Sequence, residues 1–328
     1  MSSNKILVTT RSFRKVPGRH QQILEEAGYE IVNSPLDRPL EAEELAELMP
    51  GVVGAILGVD FVTAEVFEQA KELRVISRFG VGVDRVDLVS ATAHGVVVTT
   101  TPGVNSAAVA ELTLGLVLAL ARHISYFDRA LRQENWTVTP GTELGGQTLG
   151  LIGMGKIGRE VARRAAAFDM KILYHDPLVM PDEFILRIGA QSSSLEEVLS
   201  NSDVISLHLP LIEATRNLID WEALRRMKPS ALLINTARGG LVDEQALYEA
   251  LKTGQLAGAA FDVFSKEPSI GNPLLELENF IATPHCGSAT SQTTLRMGLM
   301  ASENALAVLR GERPAAVANP EVYLQGDL

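Results

Sequence analysis

The sequence predicts an α/β protein built on two doubly wound parallel sheets. Short β-branched runs alternate with helical stretches along most of the chain, the pattern of parallel strands covered by helices. The alternation comes in two series, separated by one long apolar helical stretch. A length of 328 residues with 46% hydrophobic content can bury a full core, and the length suits about two domains.

In the first series "KILVTT", "VVGAIL", "RVISRF" and "VVVTTT" read as strands, with "HQQILEEAG", "EAEELAELM", "AEVFEQAKEL" and "VDLVSATAHG" as helices between them. That is a four-stranded unit ending before residue 102. Next, "NSAAVAELTLGLVLALARHISYFDRALRQENW" reads as one helix over 106–132 whose apolar positions wrap most of its circumference, so more than one face needs cover. A homodimer built on this helix supplies that cover. The second series holds "TLGLIG", "MKILYHD", "DVISLHL", "ALLINTA", "AGAAFDV" and "NFIATP", and six strands suit a dinucleotide-binding sheet. After His285, "SATSQTTLRMGLMASENALAVLRG" reads as a helix with no strand of its own series to follow, so it returns to the first unit. The expected domains are 1–101 with 288–328, discontinuous, and 102–287.

Net charge is −11 with no basic block, which argues against a nucleic-acid partner. The longest oily run, Leu112 to Ala121, is about half the length a bilayer span needs, and the first residues lack an apolar signal segment. A soluble cytoplasmic protein is expected. The single cysteine, Cys286, excludes an intrachain disulfide and a thiolate-rich metal site, as suits a reducing compartment.

The strongest local motif is "TLGLIGMGKIGREVARRAAAF", where Gly153, Gly155 and Gly158 form G-x-G-x-x-G on a strand-to-helix turn. The first glycine permits the tight turn, the second leaves room for a pyrophosphate, and the third lets the helix pack close, so that its N-terminus faces the anion. Asp176 ends the next strand, where a carboxylate can accept hydrogen bonds from adenosine ribose hydroxyls. No arginine follows to bind a 2′-phosphate, which favours NAD over NADP. The plainer reading is a glycine turn that only packs a helix; strand, helix and acid in this order weigh against it.

If a nicotinamide sits on this sheet, reacting groups should come from loops at the carboxyl ends of its strands. Arg238, Glu267 and His285 each follow a different strand of the second series. Hydride transfer to a 2-keto acid needs such a set: an arginine fork for the substrate carboxylate, a histidine to give the ketone oxygen its proton, and a carboxylate on the other ring nitrogen. Against this stand blander readings, namely a strand-capping surface arginine, a solvated loop acid and a helix-flanking histidine. His208 ends a strand and reads as lining the cofactor; His20 and His94 read as surface-helix residues. Cys286 reads as a small packing residue, and Trp136 and Trp221 as ordinary amphipathic packing.

In the first series "VTTRSFRKVPGRH" places Arg11, Arg14, Lys15 and Arg19 in a loop after the first strand, and Arg78 ends another strand. Arg11 and Arg78 are therefore candidates to hold a second anion of the substrate, a phosphate for example. The plainer reading has solvated loop charges and an Arg78 that braces its loop.

At this point the sequence resembles the D-isomer-specific 2-hydroxyacid dehydrogenases, and among them the short phosphoglycerate dehydrogenase-like members. The likeness runs through "SRFGVGVDRVDL", "TPGVNSAAVAELTLGL", "GLIGMGKIG", "SLHLPLIEATRNLI", "MKPSALLINTARGGLVDEQALYEAL", "AGAAFDVFSKEP" and "PLLELENFIATPHCGSAT". The resemblance implies Arg238, Glu267 and His285 as the catalytic set, reached above from the strand ends. It implies a cofactor lined by Lys156, Ile157, Leu209, Thr215, Thr236, Asp262 and Ser288, with Pro210 and Ala237 beside them, and a Val81–Gly82 loop over the substrate. It also implies a flavodoxin-like substrate domain, a Rossmann NAD-binding domain and a homodimer, while the substrate call rests on Arg11 and Arg78, whose charges suit 3-phosphoglycerate/3-phosphohydroxypyruvate as substrate pair. Hydroxypyruvate, glyoxylate and phosphonopyruvate are the alternatives. Two features depart from the pattern: Thr137, Val138 and Thr139 follow Trp136 where some phosphoglycerate dehydrogenases carry basic residues, and the chain has no room for a serine-binding regulatory domain. A different class, an NAD-sensing corepressor, shares the motifs but would be expected to add a partner-binding groove or extensions.

Overall fold

Two compact units, Met1–Asn105 with Ser288–Leu328 and Ser106–Gly287, make up the structure, a computed structural model that describes residues 4–179 and 182–324. The first unit runs β1 (Lys5–Val8), α1 (Arg11–Lys15), α2 (Arg19–Glu26), β2 (Glu30–Asn33), α3 (Ala42–Leu48), β3 (Val52–Leu57), α4 (Ala64–Gln69), β4 (Val75–Arg78), α5 (Leu88–Ala93) and β5 (Val97–Thr99). The second runs α6 (Ser106–Ala121), α7 (Ile124–Arg132), β6 (Thr148–Ile152), α8 (Lys156–Ala166), β7 (Lys171–His175), α9 (Glu183–Arg187), β8 (Gln191–Ser192), α10 (Leu195–Asn201), β9 (Val204–Leu207), α11 (Trp221–Arg226), β10 (Leu232–Asn235), α12 (Glu244–Thr253), β11 (Gly258–Phe261) and β12 (Phe280–Ala282). α13 (Ser291–Leu309) then belongs to the first unit.

The first sheet is parallel, in the order β2-β1-β3-β4-β5, a flavodoxin-like winding. It has five strands where the apolar runs indicated four. The added strand, β2, is an edge whose residues are all partly or fully exposed, so it lacks the continuous apolar run by which buried parallel strands are read. β3, by contrast, is buried at every residue, as a strand covered on both faces must be. α13 covers one face and packs on α2. Gly298 permits that approach, since a Cβ there would lie 2.8 Å from the His20 ring. His20 is therefore a buried residue, not a surface one; its Nε2 lies 3.1 Å from the Phe13 carbonyl.

The second sheet is also parallel, in the order β12-β11-β10-β9-β6-β7-β8, with the winding reversing between β6 and β9. Its seventh strand, β8, is two exposed polar residues and carried no apolar signal. The expected single helix over 106–132 is two, α6 and α7, bent by 62°. The returning chain closes on the end of α6: the Thr142 amide donates to the Ala121 carbonyl at 2.8 Å, His123 takes a left-handed φ of 54°, and a Cβ on Gly141 would lie 2.6 Å from the Ala121 oxygen. α6 packs on α8, β10 and β11 of its own unit, so most of its apolar surface is covered there. Among the described residues no single helix is long and apolar enough to cross a membrane.

Candidate active site

The carboxyl ends of β6, β7, β9, β10, β11 and β12 carry the candidate residues of the second unit. Gly153 leaves β6 at a φ of 102°, and a Cβ there would lie 2.5 Å from the His208 carbonyl oxygen. Only glycine meets both conditions. A Cβ on Gly158 would lie 2.2 Å from the Gly153 oxygen, so the first turn of α8 rests directly on the strand end. At Gly155, the N-cap of α8, an added Cβ would meet nothing within 4 Å. That open space sits before a helix N-terminus whose first amides have no helical partner, a fit for a pyrophosphate. Lys156 is exposed and Ile157 half-buried at the start of α8.

Beyond β7, Asp176 is held beside this loop by two backbone amides: Met154 N donates to Oδ2 at 2.9 Å and Leu178 N to Oδ1 at 3.0 Å. Each oxygen keeps an acceptor site for a ribose hydroxyl. At the end of β9 the His208 amide donates to the Ile152 carbonyl, and its Nε2 lies 2.9 Å from Ser206 Oγ. The residue surface is partly exposed but Nδ1 is buried, and burial pushes the imidazole pKa down to about 3. His208 is thereby held neutral near pH 7. Leu209 touches the glycine turn, 3.1 Å from the position of a Gly153 Cβ. Thr215 is engaged within its own loop, its hydroxyl donating to the Pro210 carbonyl at 2.8 Å and accepting from Ile212 N at 2.9 Å. Thr236 is buried, its hydroxyl 2.9 Å from that of Thr113.

Arg238 is set by a residue the sequence reading did not single out. Asn235, fully buried at the end of β10, accepts from Ala237 N through Oδ1 and donates through Nδ2 to the Arg238 carbonyl at 2.8 Å. The side chain thus closes the turn from which Arg238 departs. Arg238 itself donates to the Ala237 carbonyl at 2.6 Å. The next residue, Gly239, lies flush against another loop: a Cβ would meet the Phe264 carbonyl carbon and oxygen at 2.0 Å.

That loop brings Glu267 to His285. Nδ1 of the imidazole lies 3.1 Å from Oε1 and 3.0 Å from Oε2, and Oε1 also accepts from Phe264 N at 3.1 Å. A carboxylate beside Nδ1 takes its proton in a hydrogen bond, leaving Nε2 as the nitrogen able to exchange one. His285 stands at a φ of 51°, left-handed backbone that a non-glycine residue seldom adopts. Asp262 braces it. Almost fully buried at the foot of the loop, this carboxylate accepts from Thr283 Oγ1 at 2.6 Å, Cys286 N at 2.8 Å and Gly287 N at 2.8 Å, while the His285 amide donates to the Asp262 carbonyl. Asp262, placed at the cofactor by the resemblance, thus shapes the histidine turn. Burial, with the Asp262 carboxylate adding to it, pushes the Cys286 thiol up, so it is no nucleophile at neutral pH.

Of the residues expected to hold a second anion, Arg11 stands 62% exposed beside Asp37 and Arg78 is buried. Arg11, Arg14 and Lys15 lie in α1, not in a loop, and gather around Asp37 at 3.6, 2.8 and 2.9 Å; Arg19 pairs with Glu26 on α2. The Lys15 hydrogen bond, chiefly, holds the Asp37 carboxyl below its ordinary range. Arg78 is buried and its Nε donates to the Gly82 carbonyl at 3.1 Å, bracing the Val81–Gly82 loop. Ser288 is the first residue of the chain's return to that unit. A cavity of about 540 Å³ opens at the other end of the second sheet, lined by His123, Tyr126, Val204, Leu232 and Gly258. It touches none of the candidate site residues and lies at the amino ends of the strands, whereas open parallel sheets place ligands at the carboxyl ends.

Residues 114–287 match the D-isomer specific 2-hydroxyacid dehydrogenase, NAD binding domain. The chain is 45% identical over 270 residues to a glyoxylate reductase of Korarchaeum cryptofilum, covering 80% of this chain and 81% of that one. It is 43% identical over 302 residues to a D-3-phosphoglycerate dehydrogenase of Methanocaldococcus jannaschii, covering 91% of this chain and 57% of the other. Among solved structures, the TT0316 protein of Thermus thermophilus superposes with a TM-score of 0.86 at 43% identity, covering 96% of this chain and 99% of that one. The fold and the glycine loop define an NAD-binding oxidoreductase. The chain belongs to the D-isomer-specific 2-hydroxyacid dehydrogenases, and the relatives above are named as a reductase and a dehydrogenase.

Proposed function

We propose that this enzyme reduces a small unphosphorylated 2-keto acid of the glyoxylate or hydroxypyruvate class, with Arg238, Glu267 and His285 as its reacting set. The observation that carries the reading is the Glu267–His285 pair, with both carboxylate oxygens within 3.1 Å of Nδ1. Bound NADH supplies the hydride. His285 gives the ketone oxygen its proton from Nε2, Glu267 fixes the tautomer and stabilises the imidazolium, and the Arg238 fork grips the substrate carboxylate. The side chains of His285 and Glu267 are 34% and 12% exposed, enough access for one ring edge and enough shielding for the carboxylate to act on the other.

Against the phosphorylated pair stand the Asp37 carboxylate, whose charge offsets that of Arg11, and the uncharged residues after Trp136. A panel of glyoxylate, hydroxypyruvate, 3-phosphohydroxypyruvate and phosphonopyruvate should give kcat/KM for hydroxypyruvate at least equal to that for its phosphate. NADPH should serve at least tenfold less well than NADH, because Asp176 faces the site of a 2′-phosphate. A preference of more than tenfold for the phosphorylated acid, lost in Arg11→Ala or Arg78→Ala, would put a phosphate clamp in the first unit instead.

Within the stretch 106–132 first expected to form the homodimer, the interface is proposed on α7 rather than on α6, because α6 is largely covered within its own unit. Ile124 and Leu131 on α7, with Trp136 and Val138 beyond it, are 54%, 53%, 86% and 82% exposed. Large apolar side chains exposed this close together in the chain are what an interface would cover. Sedimentation should show a dimer that Trp136→Glu shifts towards monomer; a monomeric wild type at micromolar concentration would contradict it.

A further inference from the structure

We propose that Glu244 is a positioning residue for the proton-donating pair: it fixes the loop that delivers Glu267 to His285. The inference rests on the role given above to that pair. Glu244 opens α12, but the helix is already capped by Asp243, whose carboxylate accepts from the amides of Gln245 and Ala246 at 3.0 Å. The Glu244 carboxylate is turned to the neighbouring loop. Oε1 accepts from both the amide and the hydroxyl of Ser265 at 2.7 Å, and Oε2 accepts from Asn272 Nδ2 at 2.8 Å.

These contacts grasp the two ends of the segment in whose middle Glu267 stands. Consecutive amides are held by the two carboxylates: Phe264 N donates to Glu267, Ser265 N to Glu244. At the far end Asn272 also accepts from Leu274 N and donates to Ser269 Oγ, so the Glu244 contact is passed on to the loop's return. Apolar packing does little for the stretch between. Phe264 and Leu274 are buried at its borders, but Ile270 is 90% exposed. A cavity of about 320 Å³, lined by Tyr248, Lys266, Pro268, Ile270 and Pro273, lies against it. A segment with so little apolar backing takes its position from polar ties, and charge-assisted bonds are the strong ones.

The test is a double-variant comparison on the whole enzyme, with the preferred keto acid and NADH. Glu244→Ala should lower kcat by tenfold or more while KM for the keto acid and Kd for NADH stay within twofold. Glu244→Gln keeps an acceptor for Ser265 and should recover most of the loss. In a Glu267→Ala background, Glu244→Ala should cost nothing further, because the group it positions is gone. A loss that adds in full to that of Glu267→Ala, or an unchanged kcat in Glu244→Ala, overturns the proposal. If Glu244→Ala does not fold, the same comparison is read from Glu244→Asp, whose shorter side chain draws the carboxylate back from Ser265 and Asn272: it should lower kcat in the wild type and cost nothing further in Glu267→Ala. Full turnover in Glu267→Ala would instead remove the assignment of the pair itself, whatever Glu244 does.

Discussion

Replacing His285 by asparagine is expected to lower kcat by about 100-fold or more, the scale of a lost general acid, while the NADH dissociation constant stays within about twofold. Asparagine is the cleaner substitution. His285 holds a left-handed backbone at φ 51°, which asparagine tolerates better than alanine, so the turn that Asp262 braces is kept. Asparagine can still receive the Glu267 carboxylate as a hydrogen-bond donor but offers no titratable nitrogen. Stopped-flow reduction of the keto acid, with NADH binding followed by fluorescence, separates the two quantities. Near-normal turnover in His285→Asn would take the imidazole out of the mechanism.

Most of this architecture was legible in the sequence because buried parallel strands are short, continuous and apolar. The runs that seeded β3, β4, β6 and β9 are buried at nearly every position. β2 and β8 escaped because edge strands need no such run. The break between α6 and α7 left no local mark either, since what ends α6 is Thr142 returning from beyond Trp136. The same divide runs through the site. Arg238, Glu267 and His285 could be singled out because each follows a strand whose carboxyl end is a place for chemistry. Asn235 and Glu244 could not, because their meaning lies in which loop they hold, and a buried asparagine or a helix-opening glutamate reads as capping. Arg11 shows the same limit from the other side: its charge was visible, its pairing with Asp37, distant in sequence, was not.

Gly239→Ala is expected to cost about 100-fold in kcat/KM, although it adds one methyl group to a residue that touches no substrate in the proposed mechanism. The added Cβ would sit 2.0 Å from the carbonyl carbon and oxygen of Phe264 and 2.4 Å from Ser265 N. Ordinary carbon contacts need about 3.5 Å, so one loop must retreat from the other by more than 1 Å. Neither can move without consequence. The Phe264 amide is bonded to Glu267 and the Ser265 amide to Glu244, so displacing that peptide draws the carboxylate from His285. Displacing the other side moves Arg238, the adjacent residue, whose turn is closed by Asn235. A misplacement of about 1 Å at a reacting group can cost 100-fold in rate, while overpacking of this kind destabilises a fold by about 1–3 kcal/mol. The variant should therefore remain folded, with a lowered melting temperature, and bind NADH. Gly240→Ala supplies the contrast. Its φ of 79° penalises alanine by about 1–2 kcal/mol, but the nearest side-chain atom lies at 3.5 Å, so stability should fall and turnover should hold. Equal kcat/KM in Gly239→Ala and wild type would mean that the arginine loop and the glutamate loop are not coupled through this contact.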